Sequence, residues 1–112
     1  MVDPAANDMV ANDSLQAAQE DSCLAVIVTY NPELIALSQS IDALNQQGCT
    51  VLLVDNCSDN VAEIQQLEHA TVIANPSNLG LGAAHNQGYA LAKQGDYPYL
   101  LLLDQDSLPL VI

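Results

Sequence analysis

Blocks of apolar residues along the chain match the lengths of strands, and the blocks between them match helices. Residues 24–30 form a short run rich in β-branched side chains that ends at Asn31 and Pro32, which is typical of a buried strand closed by a turn. In residues 33–47 the apolar side chains recur every three or four positions up to Gly48, as in an amphipathic helix. The chain therefore opens with a strand followed by a helix.

The same alternation continues through the rest of the chain. Apolar runs predict strands at 51–54, 71–74 and 97–103, and the segments between them predict a short helix at 61–67 and a longer one at 83–93 with small residues on one side. Strands that alternate with helices form a parallel sheet with right-handed crossovers, and ligands bind beyond the carboxyl ends of its strands. The fold class is α/β.

The two ends of the chain differ from its middle. Residues 1–22 carry five acidic side chains and neither Lys nor Arg, which predicts a solvated, disordered tail before a single domain at 23–112. No basic leader and no run of about 20 apolar residues occurs, so we expect neither a secretory signal nor a membrane span. The apolar ending at 108–112 suggests a truncated domain and would favour self-association.

The charge of the chain narrows the class of ligand. The formal net charge is −13, and Lys93 is the one Lys or Arg in the sequence. A nucleic-acid backbone would be repelled, so we expect no nucleic acid as a partner. A diphosphate ligand would need backbone amides or a divalent cation to offset its charge.

The cysteines indicate a reducing compartment. Cys23, Cys49 and Cys57 are odd in number and lack C-x-x-C spacing. We therefore expect reduced thiols and a cytoplasmic protein rather than a disulfide scaffold.

Two carboxylates follow the fourth predicted strand. In Asp104-Gln105-Asp106 the alternation of a strand points both acidic side chains to one side and the Gln away from it. Oxygen ligands of this kind suit Mg²⁺ or Mn²⁺, which commonly takes one or two carboxylates together with water and substrate phosphate. The alternative interpretation is a solvated turn, since Asp is a common turn residue.

Three further features allow two interpretations each. Asp55, at the end of the second strand, either accepts a hydrogen bond from a base or ribose or initiates a turn. The glycines of loop 78–82 either let the backbone approach a ligand or serve the turn alone. His85 either touches a ligand or is an ordinary loop residue, and it stands where the dinucleotide-binding fingerprint needs a third glycine. The failed fingerprint disfavours a Rossmann-like oxidoreductase.

Four segments, taken in this order, resemble glycosyltransferase family 2. They are Val26 to Pro32, Val54 to Asn56, Asn78 to Gly88, and Leu103-Asp104-Gln105-Asp106-Ser107, the last of which is most similar to the bacterial rhamnosyltransferase branch. The resemblance covers residues 24–107. It implies a GT-A fold, a Rossmann-like nucleotide-diphospho-sugar-binding domain with strand order 3-2-1-4, and an inverting, metal-dependent transferase.

The resemblance also implies roles for individual residues. Eight positions match residues that bind the nucleotide sugar in the family: Thr29, Tyr30, Asn31, Asp55, Asn78, Gly80, Asn86 and Asp104. Among them, Asp55 is expected to contact the base and Asp104 to lie near the ribose. Asp106 is expected to coordinate the Mg²⁺ or Mn²⁺ that holds the donor diphosphate. One departure is His85, where family members commonly carry a basic residue.

The implied reaction uses a nucleotide sugar, either dTDP-rhamnose or a UDP-sugar, and a saccharide or lipid-linked acceptor in polysaccharide biosynthesis. Such an enzyme would work in the cytoplasm, peripherally at the inner face of the membrane. The family places its acceptor site and general base beyond the Asp-x-Asp strand, so no catalytic residue is assigned and the chain alone is expected to be inactive. The alternative hypothesis is a non-catalytic binding or interaction module, which would need neither Asp106 nor a cation.

Overall fold

The structure is a computed structural model that describes residues 23–106. The predicted tail at 1–22 and the apolar ending at 108–112 lie outside these residues. The described strands are β1 (Cys23–Thr29), β2 (Cys49–Asp55), β3 (Thr71–Ala74) and β4 (Tyr99–Asp104). The described helices are α1 (Leu34–Gln46), α2 (Val61–Gln65) and α3 (Leu81–Gln94).

The four strands form one parallel sheet in the order β3-β2-β1-β4. This confirms the predicted α/β class and the strand order 3-2-1-4. Thr29 at the end of β1 pairs with Asp55 of β2, and Val28 pairs with Asp104 of β4. The carboxyl ends of the three strands therefore meet at one edge of the sheet.

Helices cover both faces of the sheet, which explains why β1 and β2 are apolar at nearly every position. On one face, alternate residues of β1 and β2 pack against α1 and α2, and this cluster consists of Ala25, Ile27, Leu37, Ile41, Leu44, Val51, Leu53 and Ile64. On the other face the intervening residues pack against α3, in a cluster of Leu24, Val26, Val28, Leu52, Val54, Ala84 and Ala92.

Helix α1 follows the predicted amphipathic pattern. Leu37, Ile41 and Leu44 are buried, at the spacing of four and three that places them on one helix face. Glu33 caps the helix, since its carboxylate accepts hydrogen bonds from the backbone N–H groups of Ile35 at 3.2 Å and Ala36 at 3.0 Å.

The face of α3 that packs on the sheet consists of small residues, and the sequence predicted small residues on one side of this helix. Ala84, Gly88 and Ala92 are the buried residues of this helix. A Cβ atom placed on Gly88 would lie 2.7 Å and 2.8 Å from the two γ carbons of Val26. Any larger residue at position 88 would therefore push the helix away from β1.

Some element boundaries differ from the prediction. Strand β4 begins at Tyr99 rather than Tyr97, because the N–H of Tyr97 donates to the carbonyl of Ala92 at 3.0 Å and Pro98 has no N–H to donate. Within the described sheet β4 is an edge strand, so Tyr99, Leu101 and Leu102 are exposed although their sequence is that of a buried strand.

The prediction of reduced thiols is wrong for two of the three cysteines. Cys23 and Cys49 form a disulfide, and their Cα atoms are 4.7 Å apart, within the usual range for such a bond. They pair because they open two neighbouring parallel strands in register. Cysteine count and spacing do not contain that information. Cys57 is free and exposed. No helix in residues 23–106 is long and apolar enough to cross a bilayer.

Candidate functional site

A cleft of about 450 Å³ opens at the carboxyl edge of the sheet. It is lined by Val28, Thr29, Tyr30, Asn56, Asn78, Leu81, Asp104, Gln105 and Asp106. The ends of β1, β2 and β4 and the beginning of α3 all contribute, so the fold brings together segments that are far apart in the sequence. Of the predicted site residues, Thr29, Tyr30, Asn78, Asp104 and Asp106 line the cleft.

The acidic pair sits on the β4 side of the cleft. Both Asp104 and Asp106 are exposed. Between them, the side chain of Gln105 bonds to the main chain of Tyr30 twice, because its Oε1 accepts from the Tyr30 N–H at 2.8 Å and its Nε2 donates to the Tyr30 carbonyl at 3.1 Å. This amide clamp fixes the acidic turn against the end of β1.

The donor set of the cleft fits a hard divalent cation that shares its ligands with a substrate. Residues 23–106 contain no cluster of three or more His, Cys, Asp or Glu side chains that would hold a metal alone. Two exposed carboxylates plus phosphate oxygens and water are a common set for Mg²⁺. Lys93 lies in the last turn of α3, roughly 18 Å along the helix from Leu81, so it does not offset the acidic charge.

Asp55 lies beneath the cleft rather than in its wall. It is fully buried, and its Oδ1 accepts from the hydroxyl of Thr29 at 2.6 Å and from the hydroxyl of Ser58 at 2.5 Å. Its Oδ2 accepts from the N–H of Ser58 at 2.8 Å. With three donors the carboxylate is well satisfied inside the protein and braces β1 against β2. Contact between Asp55 and a base stays a prediction.

Asn31 holds the turn after β1. It adopts a left-handed conformation with φ of 48°, which Asn tolerates better than most residues. Its N–H donates to the hydroxyl of Ser58 at 2.7 Å, and its Oδ1 accepts from the N–H of Asp59 at 2.7 Å. Asn31 does not line the cleft, so its role there is to fix the turn that carries Tyr30.

Asn56 is a residue that the sequence did not identify as part of the site. It is buried, and its N–H donates to the carbonyl of Thr29 at 2.9 Å. Its Nδ2 donates to the carbonyl of Gly80 at 3.2 Å, and its Oδ1 accepts from the N–H of Leu79 at 3.3 Å. One side chain thereby ties the loop before α3 to the edge of the sheet. The available signal was its position directly after Asp55.

The loop before α3 is ordered by amide groups and a glycine. The N–H of Gly80 donates to Oδ1 of Asn78 at 2.9 Å, and Gly80 has a φ of 87°, which a residue with a side chain rarely adopts. Asn75 and Gln87 exchange two hydrogen bonds of 2.9 Å and join the end of β3 to α3. The loop therefore presents Asn78 to the cleft in a defined position.

Two candidates of α3 lie outside the cleft wall. Asn86 is exposed on the helix and does not line the cleft. His85 is partly buried, and its Nε2 has no hydrogen-bond partner among the described residues. Neither residue is placed against the acidic pair by the contacts that the structure records.

An apolar groove of about 320 Å³ lies at the opposite end of the sheet. Its wall includes Leu24, Leu52 and Leu91. It contains none of the predicted site residues.

Comparison with known proteins identifies the family to which the chain is similar. The family model of glycosyl transferase family 2 matches residues 24–110. A dTDP-rhamnosyl transferase, RfbF, of Shigella flexneri is 36% identical over 88 residues, which cover 74% of this chain and 29% of that protein. The chain thus spans less than a third of the length of this relative.

Proposed function

The chain belongs to glycosyl transferase family 2, and from that premise we propose that its cleft binds a nucleotide-diphosphate sugar as the donor for sugar transfer. The observation that carries the proposal is the position of two exposed carboxylates, Asp104 and Asp106, in one cleft with Tyr30 and Asn78. The two carboxylates would repel a diphosphate unless a cation is bound between the carboxylates and the phosphates. Their presence in the cleft therefore supports a metal-assisted donor site.

We propose that Asp106 holds Mg²⁺ or Mn²⁺, with Asp104 beside it near the ribose. When bound, such a cation acts as a Lewis acid on the diphosphate leaving group. Two sets of hydrogen bonds hold the residues around this proposed site. Gln105 clamps the acidic turn to the main chain of Tyr30, and Asp55, beneath the cleft, accepts a hydrogen bond from Thr29. These contacts hold the cleft residues in defined positions, which lowers the cost of ordering them on binding.

The proposed donor is dTDP-rhamnose, by similarity to the dTDP-rhamnosyl transferase, and a UDP-sugar is the alternative. The proposed acceptor is a saccharide or lipid-linked hydroxyl in polysaccharide biosynthesis, at the cytoplasmic face of a membrane. Transfer with inversion needs a base in line with the donor, and we assign that role to none of residues 23–106. The cytoplasmic location no longer rests on the cysteines, since two of them form a disulfide.

A second candidate function is that of a non-catalytic interaction module. It is favoured by the edge strand β4, on which Tyr99, Leu101 and Leu102 are exposed. An apolar strand edge of this kind is suited to pairing with another chain, including a second copy. This function would be independent of Asp106 and of any cation.

Calorimetric titration with dTDP separates the two functions. We expect binding in the presence of Mn²⁺ that is lost with a chelator and in Asp106→Asn. The matched control is Asp96→Asn, which removes the same charge from an exposed residue beyond the far end of α3. Binding that ignores the chelator would contradict the proposed metal site. Absence of binding in a folded chain would favour the interaction module.

A further inference from the structure

We propose that Leu81 makes the donor site select thymine over uracil, an inference that rests on the proposed function. Leu81 is 52% exposed and lines a cleft whose other walls are mainly polar. Val28, the other aliphatic residue of that wall, is only 9% exposed. Within the described residues, Leu81 is therefore the aliphatic side chain that a ligand in the cleft would meet.

The sheet places Leu81 at the end of the cleft away from the acidic pair. Asn56, at the end of β2, bonds to the main chain of Leu79 and Gly80, directly before Leu81. Asp104 ends β4 instead, and β1 lies between β2 and β4. Neighbouring strands are about 4.8 Å apart, so roughly 10 Å separates the two sides of the cleft.

A nucleoside diphosphate has its base and its phosphates at opposite ends. The separation between the acidic pair and Leu81 therefore decides which end of the nucleotide lies at each side of the cleft. If the phosphates lie at the acidic pair through a cation, the base lies on the β2 side, beside Asn78 and Leu81. The amide of Asn78 cannot distinguish thymine from uracil, because both bases present the same carbonyl and N–H groups. They differ in the 5-methyl group of thymine, which gains from contact with an aliphatic side chain and gains little from a polar one.

The expected size of the effect is that of removing one methyl group from water. Burial of one such group strengthens binding by about fourfold. We therefore expect the chain to bind dTDP about fourfold more tightly than dUDP, a ligand that lacks only the methyl group. UDP, which carries a 2′-hydroxyl in addition, serves to separate a sugar effect from a base effect.

The test measures the affinities for dTDP and dUDP in Mn²⁺ for the unaltered chain, Leu81→Ala and Leu81→Met. Leu81→Ala should bring the ratio of the two affinities to about one, whatever its effect on the affinity for dUDP alone. Leu81→Met should keep the preference, because an apolar side chain remains. The control is Leu79→Ala, since Leu79 is 47% exposed in the loop just before α3 but does not line the cleft.

The outcomes separate this inference from the function on which it rests. Equal affinity of the unaltered chain for dTDP and dUDP would overturn the role of Leu81 and leave the donor site intact. A preference that survives in Leu81→Ala, or one that is lost equally in Leu79→Ala, would overturn it as well. Absence of binding by all three nucleotides would overturn the proposed function together with the inference.

Discussion

Replacing Gly88 with alanine tests how tightly α3 packs on the sheet that carries the site. The new Cβ would lie 2.7 Å from Cγ2, 2.8 Å from Cγ1 and 3.2 Å from Cβ of Val26. Val26 is fully buried in the middle of β1, and a β-branched side chain has little freedom about χ1. Either the helix must move by several tenths of an ångström or Val26 must adopt a strained rotamer.

The two contributions to the free energy of unfolding have opposite signs. Overpacking of a core costs about 1–3 kcal/mol, whereas exchanging glycine for alanine inside a helix stabilises it by about 1 kcal/mol. Because the clash involves three atoms of a buried, stiff side chain, we place the overpacking cost near its upper limit. The expected net loss is about 1–2 kcal/mol, which lowers the melting temperature by roughly 4–16 °C in a domain of this size.

Thermal and urea denaturation followed by circular dichroism measure this loss. Gly82→Ala is the matched control, since Gly82 lies in the same helix and a Cβ there would meet nothing within 4 Å. It should leave stability unchanged or raise it by up to about 1 kcal/mol. Adding Val26→Ala to Gly88→Ala should cost less than the sum of the two single changes, because it removes the two nearest atoms, Cγ1 and Cγ2. A Gly88→Ala variant as stable as the unaltered chain would refute the reasoning.

Three further predictions follow from the contacts around the cleft. Thr29→Val removes a hydroxyl donor from the buried carboxylate of Asp55 and should cost about 1–3 kcal/mol in urea denaturation; Thr29→Ser should recover most of this, and an equal loss in both would contradict the role of the hydroxyl. Gln105→Ala should speed hydrogen exchange at the Tyr30 amide relative to the unaltered chain, because the acceptor of that N–H is lost; an unchanged exchange rate would rule out the clamp. Reduction of the disulfide, whose cysteines are 26 positions apart, should lower the free energy of unfolding by roughly 3–4 kcal/mol, and an unchanged stability would count against a bridge.

Patterns along the sequence predicted the features of the fold that depend on local burial. The uninterrupted apolar run of β1 matches a strand that is covered on both faces. The spacing of apolar residues in α1 matches a helix that is buried on one face. The resemblance to the family then supplied the strand order. Strand β4 shows the limit of the method, because its apolar sequence is that of a buried strand while its position at the edge leaves Leu101 and Leu102 exposed.

Contacts between distant segments could not be predicted, for a physical reason. The bond from Gln105 to Tyr30 spans 75 positions, and it exists because β1 and β4 are neighbours in the sheet. Thr29 and Ser58 occupy the oxygens of Asp55 for the same kind of reason. A residue pattern reports which side of an element is buried, and it does not report which partner a polar side chain finds there.

Nitrogen-15 NMR titration with dTDP and Mg²⁺ tests the location of the donor site most directly. We expect the largest amide shifts at Tyr30, Asn56 and Leu81, which surround the cleft. The internal control is the apolar groove at the other end of the sheet, where Thr71 and Gly95 should not shift. Shifts confined to that groove, or no shifts at saturating nucleotide in a folded chain, would contradict a donor site at the carboxyl edge.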